Sequence, residues 1–195
     1  MVTVLGINAF HADASAALIE DGKIVCAAEE ERFTRIKHSA GFPNLAIKWC
    51  LEYSSKSINH IDHIAINSSS NSNFYKKKIF TILNRPNPRF ILDKIFTKRK
   101  RSNLEFYFNE NSNEYNLNCK FHYLDHHLCH LASAYYCSPF KDSSLLSVDG
   151  FGDFASTCWG IGKNNFITKK GQVLFPHSLG IFYTAITQYL GFPNY

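Results

Sequence analysis

No apolar run in this 195-residue chain is long enough to cross a bilayer, which argues against a helical membrane span. No basic cluster precedes the apolar part of "MVTVLGINAF", so that stretch does not read as a secretory signal. None of the six cysteines (Cys26, Cys50, Cys119, Cys129, Cys137 and Cys158) falls in a CxxC pair. Their wide spacing, without an export signal, points to reduced thiols and a cytoplasmic location. Charge is sparse at 19%, while 45% of residues are hydrophobic. That balance fits a folded soluble protein of one domain or two small lobes.

The net charge of +5 is unevenly spread. Lys76, Lys77, Lys78, Arg85, Arg89, Lys94, Lys98, Arg99, Lys100 and Arg101 crowd one segment, interleaved with Phe74, Tyr75, Phe80, Phe90 and Phe96. Such a run is either a solvated helical insertion with a buried aromatic face or a contact for nucleic acid or another acidic partner. Charge runs usually belong to solvated faces, which favours the insertion, spanning about residues 71–105.

The remaining pattern alternates short strands and helices. "TVLGINAF" reads as a buried strand, and two more strands meet at Asp21-Gly22, a tight-turn pair. "FPNLAIKWCLEYS" reads as a helix with Pro43 in its first turn and Ile47, Cys50 and Leu51 as its apolar stripe. "IDHIAINS" and "CKFHYLD" read as further strands, with "NENSNEYNLN" a polar loop before the second. After them the pattern restarts. "INAFHADAS" (Ile7 to Ser15) lies without a gap over "VDGFGDFAS" (Val148 to Ser156), and each copy leads into a hairpin, a third strand and a helix. In the second copy that helix carries Leu179, Phe182, Ile186 and Leu190 at helical spacing. Two such copies predict a pair of ribonuclease-H-like lobes, superposable over residues 3–28 and 145–175. In such lobes the first hairpin turn offers backbone N–H groups to phosphate, and Gly150 and Gly152 let the chain approach closely.

Between the copies lies "LDHHLCHLASAYY", a helix with Asp125 as N-cap and Leu128, Leu131, Ala132 and Tyr135 facing a core. His126 and His130, four apart, project from one face and together can give two nitrogens to a metal ion. A helix start that is merely rich in histidine is the alternative. Cys129 points off the shared face and reads as a small core residue.

"GINAFHADASAALIEDGKIVCAAEEERFTRIKHSAGFP", "DHHLCHLASAYY", "SVDGFGD" and the late "LGF" together resemble the N-terminal part of the NodU/CmcH-type O-carbamoyltransferases, in that family's order. The resemblance covers about residues 2–68 and 120–195. It implies an α/β fold of the actin-like ATPase (ribonuclease-H-like, ASKHA) type. A first lobe would span about 2–140 and the start of a second about 143–195. It also implies a reaction: carbamoyl phosphate and ATP give carbamoyl-adenylate, whose carbamoyl group passes to a small-molecule or glycan hydroxyl. The resemblance assigns His126, His130 and Asp149 as ligands of Fe(II) or a similar divalent ion. Two histidines and a carboxylate suit such an ion on chemistry alone. Gly150, Phe151 and Gly152 resemble the phosphate-facing turn. His11 becomes the candidate for the carbamoyl group or acceptor hydroxyl. Lys37 becomes a candidate cation for phosphate or carbamate charge, beside Asp13 and His38. The alternatives are a turn histidine bonded to backbone at His11, and a salt-bridged strand end in "EEERFTRIKH". His60, His63, His122, His127 and His177 carry structural readings. The family continues past "YLGFPNY" into a glycine-rich nucleotide loop, another metal-binding Asp and a YrdC-like domain. The expectation is therefore an incomplete enzyme that needs a C-terminal part, in cis or in trans; the alternative is a catalytically dead remnant or binding module that contacts nucleic acid or an acidic partner through the basic segment.

Overall fold

The computed structural model describes residues 1–69, 71–85, 108 and 119–192. These form two compact units, Met1–Ser70 with Asn84–Tyr123, and Asn71–Leu83 with Leu124–Tyr195. Both are α/β. Among the described residues no helix is long and apolar enough to cross a membrane.

The first unit is built on a five-stranded mixed sheet. Its strands are β1 (Thr3–Asn8), β2 (Ser15–Glu20), β3 (Lys23–Glu29), β4 (His63–Ile66) and β5 (Lys120–Tyr123), in the order β3-β2-β1-β4-β5. β1 pairs antiparallel with β2 and parallel with β4, and β4 runs parallel with β5. The period-two pattern of β1 buries Thr3, Leu5 and Ile7 on one face. Asp21 and Gly22 both take positive φ, 46° and 79°, as a type I′ hairpin requires. A short α1 (Glu31–Thr34) follows β3, and α2 (Asn44–Tyr53) packs Ala46, Ile47 and Cys50 into the core. Pro43 stands at the N-cap of α2, where it offers no side-chain cap. The buried Glu30 caps the helix instead, its carboxylate accepting the N–H of Leu45 at 3.1 Å and of Ala46 at 2.8 Å. Phe108 is buried in the same core, edge-on to Phe42.

The second unit holds a three-stranded antiparallel sheet, β6 (Asp142–Gly152), β7 (Ala155–Lys163) and β8 (Phe166–Leu174). Its register repeats that of the first unit. Ile7 pairs with Ala16 and Leu5 with Leu18; at the same offset Val148 pairs with Thr157 and Leu146 with Trp159. The irregularity between Leu18 and Ile19, where β2 meets β3, recurs between Trp159 and Gly160, where β7 meets β8. The hairpin-led sheets expected over residues 3–28 and 145–175 are both present.

Among the described residues three helices complete this unit: α3 (Phe74–Asn84, up to Leu83), α4 (His126–Tyr136) and α5 (Leu179–Tyr189). The sequence assigns α4 to a first lobe running to about residue 140. The structure packs it in the second unit, because Leu131 and Tyr135 share a buried cluster with Leu145 and Cys158. The segment from residue 71 is likewise more than an insertion. The Phe80 ring lies 5.6 Å from Phe154 and 5.0 Å from Phe175, while Phe74 and Tyr75 stay on the surface. Arg89, Phe90, Lys94, Phe96, Lys98, Arg99, Lys100 and Arg101 lie outside the described residues, as does the polar loop "NENSNEYNLN". The helix expected there forms as α5 on its Ser178 cap. Leu179, Phe182 and Leu190 are each more than 60% exposed among the described residues.

Candidate metal centre

The centre is assembled within the second unit from the first turn of α4 and the end of β6. Asp125 caps α4 by accepting the Leu128 N–H at 3.0 Å. The same carboxylate takes the Ser72 hydroxyl at 3.0 Å and lies 3.4 Å from Lys169. Burial alone would raise its pKa. The Leu128 N–H, the Lys169 ammonium and the Ser72 hydroxyl outweigh burial and hold it below the usual carboxylate range.

With the helix started there, His126 and His130 fall on one face, their Nε2 atoms 3.0 Å apart. Asp149 lies where β6 loses its ladder with β7, between Val148 and Gly152. Its Oδ2 stands 2.8 Å from His126 Nε2 and 3.7 Å from His130 Nε2, and its Oδ1 accepts the Gly150 N–H at 2.6 Å. The hydrogen bond from His126, and then the nearby His130 imidazole, hold Asp149 far below the usual carboxylate range, against the opposing effect of burial.

Two glycines permit this geometry. A Cβ on Gly152 would stand 1.9 Å from His126 Cδ2, so the imidazole lies directly over that backbone. A Cβ on Gly180 would stand 2.6 Å from the Asp149 carbonyl oxygen, so the start of α5 sits against the backbone of Asp149. The Ser178 hydroxyl reinforces that approach, 3.0 Å from the Asp149 carbonyl oxygen and 2.8 Å from that of Gly150.

The donor set fits a divalent ion. Ligands cis to one another at about 2.1 Å from a metal stand about 3 Å apart. The three separations here, 2.8, 3.0 and 3.7 Å, fall near that value. All three donor atoms lie within 4.8 Å of one another, and they are the only such group of three or more among the described residues.

Residues 3–195 match the family described as "Carbamoyltransferase N-terminus". This chain belongs to that family. Among curated proteins, this carbamoyltransferase-family chain is 35% identical to the uncharacterized protein sll1178 of Synechocystis, covering 98% of this chain and 32% of that protein. It is 32% identical to the nodulation protein NolNO of Sinorhizobium fredii, covering 95% of this chain and 26% of that protein. It is 29% identical to the uncharacterized protein MJ1051 of Methanocaldococcus jannaschii, covering 97% of this chain and 30% of that protein. The chain thus spans about a third or less of the length of these relatives. Among solved structures, YeaZ from Pseudomonas aeruginosa matches with a TM-score of 0.45 at 14% identity, over 90% of this chain and 68% of that one.

The other sequence-derived site residues are distributed as follows. His11 and Lys37 belong to the first unit. His11 lies in a loop with two left-handed residues, Phe10 and Asp13, and Asn8 Nδ2 donates to the carbonyls of Ala12 and Asp13 across it. Lys37 is exposed, next to His38, whose Nδ1 is 2.8 Å from Asp13. Phe151 packs its ring 5.1 Å from Phe175. A Cβ added at Gly150 would meet only Ile181 Cδ1, at 4.0 Å. His127 is structural as expected: it is 1% exposed, with Nδ1 2.8 Å from Ser147 Oγ, and burial lowers its pKa.

Three residues around the centre do not stand out in the sequence. The Asp153 carboxylate accepts the backbone N–H of His126 at 3.0 Å. Ser72 and Asn73 hold the cap and the β6–β7 turn. The second aspartate of "DGFGD" was a signal for the first of these, since Asp tolerates the left-handed turn it occupies.

Proposed function

We propose that this chain is the N-terminal part of an O-carbamoyltransferase with an actin-like ATPase fold. In this reading the carbamoyl donor is carbamoyl-adenylate, made from carbamoyl phosphate and ATP, and the acceptor is a hydroxyl group. The observation that carries the reading is the convergence of His126, His130 and Asp149 at the end of a duplicated hairpin, in a chain of the carbamoyltransferase family. The repeated register of the two hairpin-led sheets supports the actin-like assignment, because that fold pairs two ribonuclease-H-like lobes.

His126 and His130 would hold the ion through Nε2, and Asp149 through Oδ2. Bound there, an iron-type divalent ion would supply positive charge to neutralise phosphate oxygens of the adenylate. The protein's part is preorganisation. Asp149 remains ionised, Asp125 fixes the helix that carries both imidazoles, and Gly152 lets His126 lie close to the strand. His11, in the first unit, is the candidate to take a proton from the acceptor hydroxyl, and Lys37 the candidate to balance carbamate or phosphate charge.

The test joins residues 1–195 to the remaining two thirds of a relative such as sll1178 and assays transfer of label from carbamoyl phosphate to a hydroxyl acceptor. ATP-dependent transfer that is abolished by His126→Ala and by Asp149→Ala is the expected result. Transfer that survives both substitutions would refute the assignment of the site.

A further inference from the structure

His126 is the first residue of α4, and its backbone N–H is one of the donors an α-helix leaves without an internal partner. The helix's own cap, Asp125, serves Leu128. The His126 N–H is served instead by Asp153 Oδ2 at 3.0 Å, from the β6–β7 turn. Two carboxylates therefore divide the first turn of the helix, and one of them comes from the hairpin that carries Asp149.

Asp153 is itself held. Its φ of 50° lies in the left-handed region, which Asp and Asn tolerate best after glycine. Its carbonyl accepts Asn73 Nδ2 at 3.0 Å, and Asn73 Oδ1 accepts Gln172 Nε2 at 2.6 Å. The next residue, Phe154, also has a positive φ of 72°, costly for a bulky side chain, and its ring is packed against Phe80 and Phe175. The turn is thus fixed from α3, from β8 and from its own aromatic neighbour.

On its other side His126 has no slack, because its ring already lies where a Gly152 methyl would be. Its main chain and its ring are both pinned to the hairpin that bears Asp149. Metal–ligand distances tolerate only about 0.2 Å of error. We propose that Asp153 is a positioning residue of the metal centre: by holding the His126 N–H it sets where Nε2 stands relative to His130 and Asp149. The inference rests on the reading of those three residues as a metal site. Residues that orient ligands in this way typically contribute about 10–100-fold to metal affinity.

The test is a Co(II) titration of the 195-residue chain, followed by its visible ligand-field absorption. Three substitutions separate the cap from the backbone conformation. Asp153→Asn keeps an oxygen acceptor and the left-handed φ. Asp153→Gly keeps only the conformation, and Asp153→Ala keeps neither. Expected is affinity within about threefold of wild type for Asp153→Asn, and a loss of about tenfold or more, with an altered spectrum, for Asp153→Gly and Asp153→Ala. Should Asp153→Ala fail to fold, the Asn and Gly variants decide the question between them. Wild-type affinity and spectrum in Asp153→Gly would overturn the positioning role. His130→Ala is the control for the underlying reading: if it binds Co(II) as wild type does, the metal site itself is wrong and this inference falls with it.

Discussion

Replacing Gly152 with alanine should disrupt the proposed metal site while leaving most of the second unit folded. The added Cβ would stand 1.9 Å from His126 Cδ2, 2.2 Å from Cγ and 2.5 Å from Nε2. Ordinary carbon contacts lie at about 3.5–4.0 Å, so ring and strand must separate by about 1.5 Å or more. A shift of that size is many times the tolerance of a coordination sphere. It would carry Nε2 out of its 2.8 Å approach to Asp149. Overpacking of this kind costs about 1–3 kcal/mol of stability. Gly150 supplies the control two residues away, since its Cβ would meet only Ile181 Cδ1 at 4.0 Å. Thermal unfolding without metal, followed by Co(II) titration, should show Gly152→Ala destabilised and its affinity lowered by about 100-fold. Gly150→Ala should behave as wild type in both. Equal behaviour of the two variants, or tight binding by Gly152→Ala, would refute the claim that His126 needs a bare backbone beneath it.

Glu30→Ala should destabilise the first unit by about 1–3 kcal/mol, because it leaves the N–H groups of Leu45 and Ala46 without their acceptor; urea unfolding followed by Trp49 fluorescence reads this directly. Glu30→Gln, which retains one acceptor oxygen, should lose less. The Cys50 thiol is pushed up to about 12 by burial and by the neighbouring Cys26, so native chains should react with a thiol reagent at exposed Cys137 and not at Cys50. Because the folded value is raised, Cys50's contribution to stability is intact below the unfolded value of about 8.5 and falls as pH rises from there toward 12. Unfolding midpoints measured from pH 8 upward should show that decline, and Cys50→Ala should lessen it, the buried Cys129 and Cys158 thiols, also raised, supplying the rest.

Local patterns in the sequence carry much of the fold. The alternation in "TVLGIN", the Asp21-Gly22 turn and the nine-residue overlap of the two hairpins each produce the element they imply, with matching register. Of the candidate trio, His126 and His130 are legible because they share one helix face, whereas Asp149 is assigned only by the resemblance to the carbamoyltransferase family. What cannot be read depends on side chains meeting backbone across long separations. Asp153 reaches His126 over 27 residues, and Asn73 reaches Asp153 over 80. Glu30, inside an acidic run that reads as solvated, turns inward to cap α2. The Gly152 contact is equally tertiary: a glycine at a turn suggests backbone freedom, whereas its φ is ordinary and its lack of a side chain is what matters. α4 falls in the other unit from the one its sequence position suggests, because helical periodicity reports which face is apolar, not which sheet will cover it.

The most direct test of the central claim is an X-ray absorption spectrum of the 195-residue chain loaded with one equivalent of Fe(II). Stoichiometric binding is expected, with scattering from two imidazoles in addition to oxygen ligands. One imidazole should be lost in His130→Ala, and binding should be lost in Asp149→Ala. A spectrum without imidazole scattering, or one unchanged by either substitution, would contradict the assignment of His126, His130 and Asp149 as metal ligands.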